Sequence, residues 1–100
     1  MCAGKGTAHD PLWRVRELIA AGRVSLTMAA FQGARNMCLT RGDVLDVVAR
    51  IQPADFYKSM TTYVDHTVWQ DVYRPCTSYG AIYLKLTVTE EVLIVSFKAR

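Results

Sequence analysis

The sequence predicts an α+β chain, with an antiparallel sheet in the C-terminal half packed on helices from the N-terminal half. Three observations predict it. Apolar residues recur at helical spacing from about residue 10 to 52, then alternate with a period of two from about 55 to 98. The links between the later apolar runs are three to six residues long, enough for antiparallel neighbours and too short for a crossover, so a meander is expected. Helices followed by strands place the helices together on one face of the sheet. With 100 residues, 51% of them hydrophobic and 21% charged, the chain reads as one packed domain, residues 1–100.

In the first helix Asp10 is placed to accept from unpaired amides, and Pro11 takes the first helical position, where a missing N–H costs nothing. Leu12, Val15, Leu18 and Ile19 share its inner face, and Gly22 ends it. Arg23–Leu26 reads as a short extended link. Thr27 caps a second helix running to about Arg35, with Leu26 and Phe31 spaced as a hydrophobic staple. Thr40 and Asp43 have capping-box spacing before a third helix, whose apolar stripe is Val44, Val47, Val48 and Ile51. Phe56–Tyr63, Thr67–Arg74, Ala81–Val88 and Val92–Lys98 follow as four strands rich in aromatic and β-branched residues. Val64–His66, Pro75–Gly80 and Thr89–Glu91 join them.

Composition narrows the function classes. No apolar run approaches the roughly 18 residues that cross a bilayer, and the N-terminal MCAGKGTAHDP lacks the apolar stretch of a signal peptide. A cytoplasmic location and no membrane partner are expected. Cys2, Cys38 and Cys76 are odd in number and far apart, which argues for reduced thiols. Neither His9 nor His66 has a Cys or His neighbour at metal-ligand spacing, so no metal and no cofactor is expected. The net charge of +3 tilts mildly toward an anionic partner.

Where the cations fall is more informative. In the third strand Ile82, Leu84, Leu86 and Val88 alternate with Tyr83, Lys85 and Thr87, which sets the first group against the helices and the second in the open. Matching Leu93, Val95 and Phe97 to that core pairs Val88 with Leu93 and Tyr83 with Lys98. A three-residue turn pairs Tyr63 with Thr67 and hence Met60 with Gln70. Lys58, Met60, Gln70, Val72 and Arg74 then share one face. Tyr57, Tyr63, Trp69 and Tyr73 take the other, with Asp71 an awkward member of that set. A bulge would exchange part of these faces. With Trp69 and Tyr73 in the core, the open face gathers Lys58, Gln70, Arg74, Tyr83 and Lys98. Three cations beside an amide and a phenol suit a phosphodiester backbone, although Lys and Arg on a solvent face are commonly only solvated.

The segment DFYKSMTTYVDHTVWQDVYRP (Asp55–Pro75), with YLK (Tyr83–Lys85) and VLIVSFK (Val92–Lys98), closely resembles the MqsR family of toxins from bacterial type II toxin–antitoxin systems. The likeness covers most of residues 55–98 and extends more weakly to Leu12–Val24. It implies a RelE-like fold and a ribosome-independent mRNA interferase that cuts single-stranded mRNA at short GC-containing sequences. It also implies Lys58, Gln70 and Tyr83 as the catalytic residues. The implied partner is a cognate MqsA-type antitoxin that holds the toxin inactive and carries its own zinc. The N-terminus, Arg35–Thr40 and Cys76–Ala81 depart from the family pattern.

The simplest reaction for such residues is attack of a ribose 2′-hydroxyl on the adjacent phosphorus, leaving a 2′,3′-cyclic phosphate and a 5′-hydroxyl. Arg74 offers a planar fork and Lys98 a point charge to the non-bridging oxygens. Lys58 acts as a base only where neighbouring cations or burial favour its neutral form, while Tyr83 either donates a proton or orients the phosphate. Gln70 positions a hydroxyl or a base edge. Tyr57 is a candidate for stacking on RNA, Met60 for apolar contact with a base, and His66 for reaching over the face from its turn. For each of these three a structural role is at least as natural. A non-catalytic module that binds an antitoxin or nucleic acid through the same sheet is the alternative.

Overall fold

The computed structural model describes every residue except 1–3, 6, 7, 63, 65 and 66, with the backbone alone described at Gly4 and Lys5. In chain order the elements are β1 (Gly4–Lys5), α1 (Leu12–Ala20), β2 (Val24–Leu26), α2 (Met28–Asn36) and α3 (Arg41–Arg50). A 3-10 turn (Pro53–Asp55) leads into β3 (Phe56–Thr61), β4 (Trp69–Tyr73), β5 (Cys76–Thr77), β6 (Gly80–Val88) and β7 (Val92–Ala99). The fold is α+β, as expected. The strands lie in the order β1-β3-β4-β6-β7-β2, with β5 paired to β6 alone.

Local chemistry accounts for the helix limits. Helix α1 starts one residue later than Asp10-Pro11 predicts: Pro11 is extended, at φ −72° and ψ 148°, and no side chain caps the helix. It ends as expected at Gly22, whose φ of +76° suits a glycine. There Gly22 N–H donates to the Ile19 carbonyl (3.0 Å) and Arg23 N–H to that of Leu18 (2.8 Å), a Schellman closure. Thr40 and Asp43 form the expected capping box, Asp43 N–H to Thr40 Oγ1 at 3.2 Å and Thr40 N–H to Asp43 Oδ2 at 2.9 Å. Val44, Val47, Val48 and Ile51 are buried. Leu26 packs on the core, whereas Phe31 stays exposed with the Arg35 guanidinium over its ring, so the staple does not bury it.

Three further expectations, all about the strands, change. Val24–Leu26 is not a bare link but an edge strand, parallel to β7 with Val24 opposite Val92. Val88 faces Val92, not Leu93, although Tyr83 does face Lys98. A bulge on β7 separates the two registers: Lys85 faces Ser96, but Leu86 faces Ile94, leaving Val95 over. The buried side chains of β7 are therefore Val92, Ile94 and Phe97, not Leu93 and Val95. The bulged backbone is held by the start of α2. Thr27 N–H donates to the Ile94 carbonyl (3.0 Å), its hydroxyl donates to the Val95 carbonyl (2.8 Å), and Oγ1 accepts from Ala30 N–H (3.1 Å). One turn on, Gly33 sits so close to β7 that a Cβ there would lie 1.8 Å from the Phe97 carbonyl oxygen.

The third change concerns β3. Phe56 faces Tyr73 and Lys58 faces Val72, so Tyr57 is the extra residue of a second bulge. Asp71, the awkward member of the inner face, proves to be a buried anchor. Its carboxylate accepts from the backbone N–H groups of His9 (3.0 Å) and Asp10 (3.1 Å), while Trp69 stacks on the His9 ring at 5.1 Å. Charge-assisted bonds to two amides offset much of the cost of burying that carboxylate. The N-terminal strand β1 continues the sheet beyond this point, with Gly4 opposite Met60.

Candidate active site

The helices pack on the side of the sheet occupied by Tyr73, Leu84 and Phe97. Residues of opposite parity form the other face. Met60 stands opposite Gln70. Lys58 faces Val72, Val72 faces Lys85, and Lys85 faces Ser96. Arg74 follows Tyr73, which faces Leu84, and so stands beside Tyr83, itself opposite Lys98. The structure thus brings Lys58, Met60, Gln70, Arg74, Tyr83 and Lys98 to one face. His66 lies outside the described residues, and so does the expected Tyr63–Thr67 pairing.

Tyr57 does not join Trp69 and Tyr73 on the inner face. The β3 bulge turns it outward, where it is 50% exposed. The Arg74 guanidinium lies 4.8 Å from the Tyr57 ring centroid and the Lys58 ammonium 5.4 Å from it. On the far side of the face the Lys98 ammonium lies 5.2 Å from the centroid of Tyr83. Contacts of this kind are worth about 0.5–1 kcal/mol each at exposed sites. Here they bias three cations toward the two rings of this face.

Lys85 is a member of this face that the sequence reading did not select. It projects from the central strand between Tyr83 and Thr87, and the alternation that exposed Tyr83 was the signal for it. Its neighbour Val72 is fully buried yet stands apart from the main core cluster. The stems of Lys58 and Lys85, opposite it on either side, are placed to roof it while their charged ends stay in water.

Strand geometry sets how these groups can work together. With strands about 4.8 Å apart and residues about 3.3 Å along each, the Cα atoms of Lys58 and Gln70 lie about 8 Å apart. On the same spacing Tyr83 lies about 12 Å from Lys58 and about 14 Å from Gln70. Long side chains can bring Lys58 and Tyr83 to one phosphate-sized group, whereas Gln70 stands too far from Tyr83 to share it. The densest charge surrounds Tyr83, between Arg74 and Lys98. Tyr73 plays no part: burial first, then the charges of Asp71 and Asp10, push its hydroxyl up to about 12. Among the described residues, no three His, Cys, Asp or Glu side chains are grouped to hold a metal ion. No helix among them is long and apolar enough to cross a membrane.

The family described as "Motility quorum-sensing regulator, toxin of MqsA" matches residues 7–99 of this chain. A curated relative, the mRNA interferase toxin MqsR of Escherichia coli (strain K12), is 48% identical over 96 residues. That alignment covers 96% of this chain and 98% of the relative.

Proposed function

The chain belongs to the MqsR toxin family, and on that footing we propose that it is an endoribonuclease toxin. Its substrate is single-stranded mRNA, cut in the cytoplasm without the ribosome at short GC-containing sequences. An MqsA-type antitoxin neutralises it. The observation that supports this reading best is the arrangement of Tyr83 between Arg74 and Lys98, with Lys58 and Lys85 reaching in from the adjacent row.

That arrangement suits attack by the 2′-oxygen on phosphorus. The 2′-hydroxyl gives its proton to a base, the new O–P bond closes the 2′,3′-cyclic phosphate, and the P–O5′ bond breaks as the 5′-oxygen takes a proton. Negative charge builds on the non-bridging oxygens, where fixed cations stabilise it without a metal ion. Arg74 supplies the fork, with Tyr57 behind it, and Lys98 and Lys85 add point charges. Lys58 and Tyr83 share the proton transfers, and Gln70 positions the next nucleotide.

Purified protein free of antitoxin is expected to cleave single-stranded RNA in the presence of EDTA. Lys58→Ala and Tyr83→Ala are expected to lose about 100-fold or more in rate while keeping the native circular dichroism spectrum. RNA binding without any cleavage by the unaltered protein would favour the non-catalytic module instead.

A further inference from the structure

A cleft of about 380 Å³ opens between the β5–β6 hairpin and the C-terminal end of α3, outside the face described above. Its walls include Asp46 and Arg50 of α3, Gln52, Asp55, Pro75 and Tyr79. We infer that this cleft is a nucleobase subsite, which takes a base next to the cut phosphate by its donor edge, guanine before the others. The inference rests on the nuclease reading above and adds to it where a neighbouring base is read.

Position is the first argument. The Asp55 carbonyl accepts from Arg74 N–H at 2.8 Å, and Pro75 follows Arg74 directly. The two residues that border Arg74 therefore also wall the cleft, so a strand whose phosphate lies on Arg74 needs only to turn round this end of the sheet to bring a neighbouring base to it. The volume falls within the range of small-ligand sites.

Charge is the second. Two carboxylates and one guanidinium line the cleft, a weaker site for a phosphate than the cations of the open face. That excess of one negative charge favours entry of the base over entry of the phosphate. Among the four bases guanine alone presents two adjacent donors, N1–H and the 2-amino group, which match the two oxygens of a carboxylate. The Asp46 carboxylate is paired with Arg50 at 3.0 Å, but Arg50 is largely and Asp46 about half exposed, and such a pair is readily exchanged for a better partner.

The third argument is the wall opposite. Tyr79 is an exposed aromatic held in place twice: its hydroxyl donates to Asp43 Oδ1 (3.3 Å), and its N–H donates to Thr77 Oγ1 (3.1 Å). A pinned ring beside an open cleft is a ready platform for a base.

Short single-stranded RNAs with inosine replacing each guanine in turn test this, because inosine lacks only the 2-amino group. The unaltered protein is expected to lose about 10-fold in kcat/KM at one guanine flanking the cut. In Asp46→Asn that preference should shrink toward unity, with the inosine RNA still cleaved at nearly the original rate. Tyr79→Ala, which removes a stacking platform common to both bases, should instead raise KM on both RNAs and keep the preference. If Asp46→Asn keeps the original preference, or Tyr79→Ala leaves KM unchanged, the inference fails alone. Equal loss on guanine and inosine RNAs in Asp46→Asn also overturns it, since that marks a structural role for the carboxylate. If the unaltered protein cleaves neither RNA, the nuclease reading fails first.

Discussion

The guanidinium of Arg74 is the best-supported single group on the open face, since its backbone is tied to Asp55 and its side chain lies over Tyr57. Lysine at that position keeps the charge but loses both the planar fork and the stacking. Arg74→Lys is therefore expected to lower kcat by about 100-fold, the scale of losing one oxyanion donor, while KM and the unfolding midpoint change little. Single-turnover cleavage alongside thermal melts checks this. A large rise in KM at unchanged kcat would make Arg74 a mere tether. At this scale the sequence was legible where alternation was strict. Tyr83, Lys85 and Thr87 in β6 were oriented correctly, yet Lys85 was passed over because periodicity shows which way a residue points and not which neighbours it meets. Tyr57 was misplaced because its position depends on a bulge, a property of two strands compared and not of one strand read alone.

At the scale of elements, the contact between α2 and β7 depends on residues whose importance lies in backbone geometry. Gly33 permits the close approach to the Phe97 carbonyl, and no periodicity in the sequence marks it. Gly33→Ala is expected to destabilise the protein by about 3 kcal/mol, the upper part of the overpacking range. At the other end of α2, Cys38 occupies a left-handed conformation at φ +60° within a Schellman closure formed by Leu39 N–H to Ala34 O (2.9 Å) and Cys38 N–H to Arg35 O (2.9 Å). Relieving that strain by Cys38→Gly is expected to add about 0.5–1 kcal/mol, after subtracting the extra freedom glycine gives the unfolded chain. Urea titrations with an unchanged slope would measure both effects. The helix caps at Thr27 and Thr40 were legible because each is a local pattern of a few residues. The β2 strand was not, because three residues gain their partner from the far end of the chain. Asp71 belongs to the same class: a carboxylate in an inner-face position signals a hidden partner, but not that the partner is the backbone of His9 and Asp10.

Over the whole molecule, the division into a helical half and a sheet half followed directly from the change of hydrophobic period, and the antiparallel core β3-β4-β6-β7 from its short links. What the sequence could not show was the completion of the sheet at both edges by segments from the N-terminal half, β1 and β2. The face that carries Lys58, Gln70, Arg74, Tyr83 and Lys98 lies on the antiparallel core, which is why these residues could be grouped despite the missed edges. Lys58, Arg74, Lys85 and Lys98 together predict a definite salt dependence. If each meets one phosphate of a single strand, log K falls with log salt at a slope of about −3, and Lys85→Ala reduces that slope by about 0.7 whatever the sequence bound. A slope near zero would remove the phosphate role from this face. The most direct test is mapping the ends of an RNA cut by the purified protein in EDTA. The arrangement of Lys58, Tyr83, Arg74 and Lys98 predicts 2′,3′-cyclic phosphate and 5′-hydroxyl ends, lost in folded Lys58→Ala and Tyr83→Ala. Ends bearing a 5′-phosphate, or full activity in both variants, would contradict it.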